Sequence, residues 1–256
     1  MAYRTGGKIV AYTQSFPPFV LVFQLCLFLV RLISWSLLRL RIHGRENIRK
    51  VDAAILVSNH TLVIDPGILA YVIRPRRTYF SMLEETALIP YLGTFVRLLG
   101  AIPIPPTSMA KLERAVVQGL AAMRFVHFFP EGECYLRNQQ IRPFFPGAFF
   151  LACRLKIPVI PITTVLYERR LRGKTIHTLF GGKLRLPPRV SVVVGNPFYP
   201  NDFLSSTSER PRSIRSAARA MAEVVRSYMQ DTIDQNGGCK SMYRGQMPRL
   251  TAKSAI

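Results

Sequence analysis

Two short runs carry residue types suited to moving a proton. The first is Ser58-Asn59-His60-Thr61-Leu62-Val63-Ile64-Asp65, in which an imidazole precedes a carboxylate by five positions. On one continuous helix five residues turn through about 500°, so the two side chains would diverge. The flanking pattern argues for another path. An apolar run ends near Ser58 and Pro66 opens a new helix, leaving a turn that can fold Asp65 back onto His60. An Asp accepting from Nδ1 fixes the tautomer and leaves Nε2 as a base toward a hydroxyl. The competing reading is that Asp65 only caps its helix while His60 sits in a polar loop. His43, His127 and His177 have no comparable partner in the sequence.

The second run is Phe129-Pro130-Glu131-Gly132, closing the apolar stretch FVHFF. An acid at the carboxyl end of a strand lies at the edge where open α/β sheets bind ligands. Otherwise the run is an ordinary turn with a solvated Glu131. No Ser or Cys is placed as a nucleophile beside a base, so a base acting directly on a hydroxyl is preferred over a covalent enzyme intermediate. Cys134 is expected only to pack nearby. The four cysteines, Cys26, Cys134, Cys153 and Cys239, show neither metal-ligand spacing nor a disulfide framework.

The elements that must position these runs alternate. Ala53–Ser58, Arg77–Met82, Ala101–Ile104, Phe125–Phe129, Ile157–Val165 and Val190–Gly195 read as strands. Between them, helices are predicted from Asp65-Pro66-Gly67 onward, over Thr86–Leu99 with a break near Pro90, over Met109–Met123, and over Gly147–Leu155. A last helix runs from about Pro211 to Ile233. Such alternation predicts a single α/β domain with a largely parallel or mixed central sheet flanked by helices.

Composition narrows the setting. Thirty-five Lys and Arg against fourteen Asp and Glu give a net charge of +21 over 256 residues, yet 49% of the chain is apolar and only 19% charged. That excludes a disordered basic tail protein. A non-enzymatic nucleic-acid-binding protein would use the charge, but no RNA- or DNA-binding signature is present and the greasy amino end goes unexplained. Residues 19–30 read FVLVFQLCLFLV, about 18 Å of helix against a hydrocarbon core of about 30 Å. Extending the run to Leu38 places Arg31 past its middle, so a re-entrant or interfacial hairpin fits better than a full span. RLISWS lacks the small residues of a cleavage site. Arg4, Lys8, Arg31, Arg39, Arg41 and Arg45 all precede the first acid, Glu46, an excess that keeps those ends cytoplasmic. The expectation is a membrane-associated protein with its catalytic body on the cytoplasmic side.

With both runs in hand, the chain resembles the glycerolipid acyltransferase family, whose best-known members acylate lysophosphatidic acid. The resemblance covers roughly residues 45–200. His60 and Asp65 match the acyltransfer motif, which implies a general base and its orienting carboxylate. Phe129, Pro130, Glu131 and Gly132 match the acceptor-binding motif. Val159-Ile160-Pro161-Ile162 and Gly147-Ala148-Phe149 match the apolar strand and the helix start, and Leu88–Ile104 resembles the remaining motif. Hydropathy and the resemblance together divide the chain into an N-terminal membrane-associated helical segment (1–44), an acyltransferase domain (45–235) and, from its lack of apolar patterning, a flexible basic tail (236–256). The resemblance also implies an acyl-CoA or acyl-carrier-protein donor, a lysolipid acceptor, membrane lipids as partners, no nucleic acid, and no cofactor or metal.

Three positions depart from the family pattern. Pro105-Pro106 stands where an Arg usually follows the strand, Glu133-Cys134 where Thr and then Arg or Ser usually follow, and Phe144-Phe145-Pro146-Gly147 lacks the usual Lys. Each thins the cations available for an acceptor phosphate. Arg137, Arg142 and Arg97 are the candidate replacements. Lysophosphatidic acid is the favoured acceptor and another lysolipid, with a different head or an amino-acid core, the alternative. The acid-free basic residues from Arg169 to Arg189 are either a solvated face, a membrane-docking surface, or a binding surface for donor phosphates.

Overall fold

The computed structural model describes residues 36–83, 101–104, 108–169, 187–205 and 213–248, together with helical positions between 24 and 32 and at Glu85. Seven strands form one sheet: β1 (Arg41–His43), β2 (Ala54–Ser58), β3 (Tyr79–Leu83), β4 (Ala101–Ile104), β5 (Phe125–Phe128), β6 (Val159–Tyr167) and β7 (Arg189–Val194). Their order across the sheet is β1-β7-β6-β2-β5-β3-β4. Only the β6–β7 pair is antiparallel; the others run parallel. The sheet is therefore mixed and mostly parallel, within a single α/β domain.

The central strands are apolar on both faces because both faces are covered. Ile55, Val57, Val126 and Val159 pack toward a layer made by α2 (Met109–Met123), α3 (Gly147–Leu155) and the 22-residue α5 (Ile214–Gln235). Ala54, Leu56, Phe125 and Ile160 alternate to the opposite face, against Ile68, Leu69 and Val72 of α1 (Asp65–Val72). A short helix, α4 (Asn201–Leu204), precedes α5. Side chains with period two on strands and helices above and below are what the sequence pattern requires.

Register places the chemistry. Val57 of β2 lies opposite Phe128 of β5, and Ser58 opposite Ile162 of β6. The strands end together, so the chain leaving β2 at Asn59-His60 emerges beside the chain leaving β5 at Phe129-Pro130.

Three sequence expectations differ from the structure. Arg41–His43, assigned to the N-terminal segment, is instead the edge strand β1, paired in parallel with Ser191–Val193. Asp65 is the first residue of α1, not its cap; Ile64 holds that position and no side chain caps the helix. Residues 236–248, expected to trail as part of a flexible tail, are folded back: Cys239 N–H donates to Leu166 O (2.9 Å), Met247 N–H to Cys134 O (2.8 Å), and Met242 is buried. Among the described residues no helix is long and apolar enough to cross a membrane. Most of the predicted helix over Thr86–Leu99, with Pro90 and Arg97, lies outside the described residues, as does the interior of the basic stretch.

Candidate active site

The loop between β2 and α1 closes on the carboxylate of Asp65. Asp65 is fully buried, and its Oδ2 accepts from Thr61 N–H (2.7 Å), Leu62 N–H (2.8 Å) and the His60 ring at Nδ1 (3.0 Å). Two of those donors are amides, which requires Oδ2 to be an acceptor. The proton of the third bond therefore sits on Nδ1, and Nε2 is the ring nitrogen left to gain or lose a proton. The competing reading, in which Asp65 caps its helix, does not describe this geometry: the carboxylate reaches backward and organises its own loop.

His60 keeps an open edge, with 20% of its side chain exposed. Phe129 stacks on the ring at 3.9 Å between centroids, with 16° between planes. Burial alone would lower the His60 pKa. The Asp65 carboxylate and the Cys134 sulfur, both beside the ring, outweigh that effect and push it up to about 9. Cys134 is itself buried. Thus a residue expected merely to pack contributes to the electrostatics of the base.

Glu131 is buried at 4% exposure, and both its oxygens are engaged by main chain. Oε1 accepts from His60 N–H (3.0 Å) and Oε2 from Arg142 N–H (3.0 Å). Burial pushes its pKa up to about 7, with those two amides and the charge of His60 pulling the other way. The carboxylate is a brace between the His60 loop and the chain at Arg142. Pro130 O accepts from Phe145 N–H (2.8 Å). Gly132 adopts φ +76°, a conformation that favours glycine, and a Cβ there would meet the Phe145 ring at 2.7 Å.

The candidate cations divide. Arg137 takes a left-handed φ of 57° and donates its N–H to Thr61 O (2.8 Å), which stitches the segment after FPEG to the His60 loop. Arg142 is exposed, with its guanidinium over the Tyr135 ring. Residues not singled out from sequence complete the frame. Asn59 forms a two-bond bridge to β6, donating to Thr164 O (2.9 Å) and accepting from Thr164 N–H (2.8 Å). Gln139 accepts from Leu166 N–H (2.8 Å), and Thr61 Oγ1 donates to Asn138 O (3.1 Å). The place of Asn59, between strand end and base, was the one signal for this frame in the sequence. Among the described residues no group of three or more His, Cys, Asp or Glu side chains is arranged to hold a metal ion.

The family model "Acyltransferase" matches residues 39–165, which include β1, both motifs and β6 as far as Val165. Over these residues the chain is similar to the acyltransferase family. A chloroplastic 1-acyl-sn-glycerol-3-phosphate acyltransferase of Brassica napus is 28% identical over 128 residues, 48% of this chain and 36% of the relative. The 1-acyl-sn-glycerol-3-phosphate acyltransferase of Saccharomyces cerevisiae is 28% identical over 130 residues, 49% and 42% of the two chains. The match thus spans well under half the length of these curated relatives. Among solved structures, the 1-acyl-sn-glycerophosphate (LPA) acyltransferase PlsC of Thermotoga maritima shares the fold, with a TM-score of 0.55, 19% identity and 88% of each chain covered. His60 and Asp65, both within the matched residues, are in hydrogen-bond contact.

Proposed function

We propose that this acyltransferase moves a fatty acyl group from a thioester of CoA or acyl-carrier protein to the free hydroxyl of lysophosphatidic acid, giving phosphatidic acid. The observation that carries the reading is the His60–Asp65 pair, with Nδ1 held by the carboxylate and the His60 ring part-exposed. In the reaction, His60 Nε2 takes the hydroxyl proton while the acceptor oxygen forms its bond to the thioester carbonyl carbon. Collapse of the tetrahedral adduct breaks the carbon–sulfur bond, and the proton returns to the leaving thiolate. Asp65 holds the ring and balances the imidazolium. The acceptor assignment is supported by the names of the relatives in the two alignments.

A membrane-surface setting, with the catalytic body on the cytoplasmic side, belongs to the same proposal. Leu25, Phe28, Leu29 and Leu32 are exposed helical residues at the spacing of one face. Such a face, beside a chain of net charge +21, suits an anionic bilayer surface.

Another lysolipid as acceptor is the second reading, favoured by Glu133 next to the FPEG turn, where a carboxylate would repel a phosphate dianion. Purified full-length protein, given acyl-CoA or acyl-carrier protein and a panel of acceptors, tests both readings. Lysophosphatidic acid is expected to be the best acceptor over glycerol-3-phosphate, lysophospholipids with larger heads and an amino-acid lysolipid. Preference for any of the others would replace the acceptor assignment.

A further inference from the structure

Beyond the region matched by the family model, residues 243–247 run alongside the segment that follows FPEG. Leu136 N–H donates to Gly245 O (3.0 Å), Arg244 N–H to Leu136 O (2.9 Å) and Met247 N–H to Cys134 O (2.8 Å). Tyr135 and Gln246 form an antiparallel bridge. On its other side the same segment is tied to the catalytic loop, since Tyr135 N–H donates to His60 O (2.9 Å). The ribbon brings Tyr243 beside Tyr135, and the Arg142 guanidinium lies over both rings, 5.3 Å from one centroid and 5.9 Å from the other.

We propose that Arg142, clamped between Tyr135 and Tyr243, is the seat for the acceptor's anionic headgroup, which makes the ribbon carrying Tyr243 a specificity element of the active site. The inference rests on the acyl-transfer reading above and names the group that replaces the cations missing from its motifs. Four features carry it. The guanidinium is exposed and, among the described residues, paired with no carboxylate. Two aromatic rings fix its orientation, and aromatic faces hold a guanidinium without using its N–H donors. Those donors remain free for the two-point hydrogen bonding by which Arg recognises phosphate. Finally, Arg142 shares the Glu131 carboxylate with His60, one main-chain hydrogen bond to each oxygen, so seat and base are held at a set separation.

Kinetics with full-length protein in lipid–detergent micelles test the clamp, using lysophosphatidic acid and the phosphate-free monoacylglycerol of the same chain as acceptors. Arg142→Ala should raise KM for lysophosphatidic acid by about tenfold or more, while KM for the acyl donor stays within about twofold. Preference over monoacylglycerol should fall in parallel. Arg142→Lys should be intermediate, because it keeps the charge and loses the planar fork. Tyr243→Ala should cost about threefold in the same KM and Tyr243→Phe almost nothing, since the ring supplies the contact. An unchanged acceptor KM in Arg142→Ala, or a rise confined to the donor, overturns the clamp alone. An unsubstituted chain that acylates neither acceptor overturns the lysophosphatidic acid assignment and the clamp with it.

Discussion

His60 and His127 lie at neighbouring strand ends, and Phe129 touches both, stacked on the first and edge-on to the second at 4.5 Å. Their surroundings push them in opposite directions. His60 has the Asp65 carboxylate at Nδ1, keeps part of its ring exposed, and its pKa rises to about 9. His127 is completely buried on β5, bonded at Nε2 to Ser58 Oγ (2.8 Å), and its Nδ1 has no hydrogen-bond partner among the described residues. Burial first, and the positive His60 second, push its pKa down to about 3. Two imidazoles so close together thus hold different protonation states at neutral pH. One is arranged to exchange a proton with a bound molecule, and the other to remain a neutral part of the core. A carboxylate and an open edge make the difference.

The strongest way to break this contrast is to remove each ring in turn. His60→Ala should lower acyl transfer by at least about a hundredfold with the fold intact, the low end for a positioned general base. Near-normal turnover in a well-folded variant, measured beside its circular dichroism spectrum, would rule out the base. His127→Gln should leave turnover within about threefold, because no reacting group depends on that ring.

The pH dependence sharpens the same point. Only neutral His60 can accept the hydroxyl proton, so transfer should climb about tenfold per unit as pH rises toward about 9, then level off. A rate already flat from pH 6 upward would show that the pair does not hold its proton this way. For His127 the sign is reversed and the effect is on stability. The unfolded chain takes up the proton below about 6.5 while the folded chain resists it down to about 3, so stability falls as pH falls through that window. Between pH 7 and 5 this loss is about 2 kcal/mol. It should be absent from His127→Gln in urea unfolding at the two pH values.

The smallest expected effect concerns the thiol beside the base. Cys134→Ala should keep turnover within about threefold and move the pH profile downward by a fraction of a unit, because one group favouring the imidazolium is gone. A loss as large as that of His60→Ala would instead point to a covalent acyl-cysteine.

The base and its partner were legible in the sequence because each is flanked by punctuation: the end of an apolar strand before His60, and Pro66-Gly67 after Asp65. The helices over Met109–Met123 and Gly147–Leu155 were legible for the same reason, being periodic and sharply bounded. Glu131 was found by position, as an acid at a strand's carboxyl end, but its partners were hidden. They are the amides of His60 and Arg142, and a sequence does not mark which amide a carboxylate will meet. β1 escaped notice because three residues, Arg-Ile-His, carry too little alternation to register as a strand. The stretch from Asn236 to Pro248 was misjudged for a related reason. Main-chain hydrogen bonds, a buried Met242, the Lys240–Asp234 ion pair and the Tyr243–Arg142 contact hold it, and none of these gives an apolar pattern.

That folded-back ribbon also bears on the order of assembly. The catalytic loop is made early in synthesis, at residue 60, yet the segment bonded to it at Tyr135 is itself pinned by residues 244–247. A chain growing from its amino end therefore carries its base and carboxylate long before the strip that fixes their neighbourhood exists. Contacts between such distant positions close late, after the helices and the central strands are in place. While still tethered to the ribosome, the nascent chain holds a His60 loop without its outer support until residues 244–247 have been made.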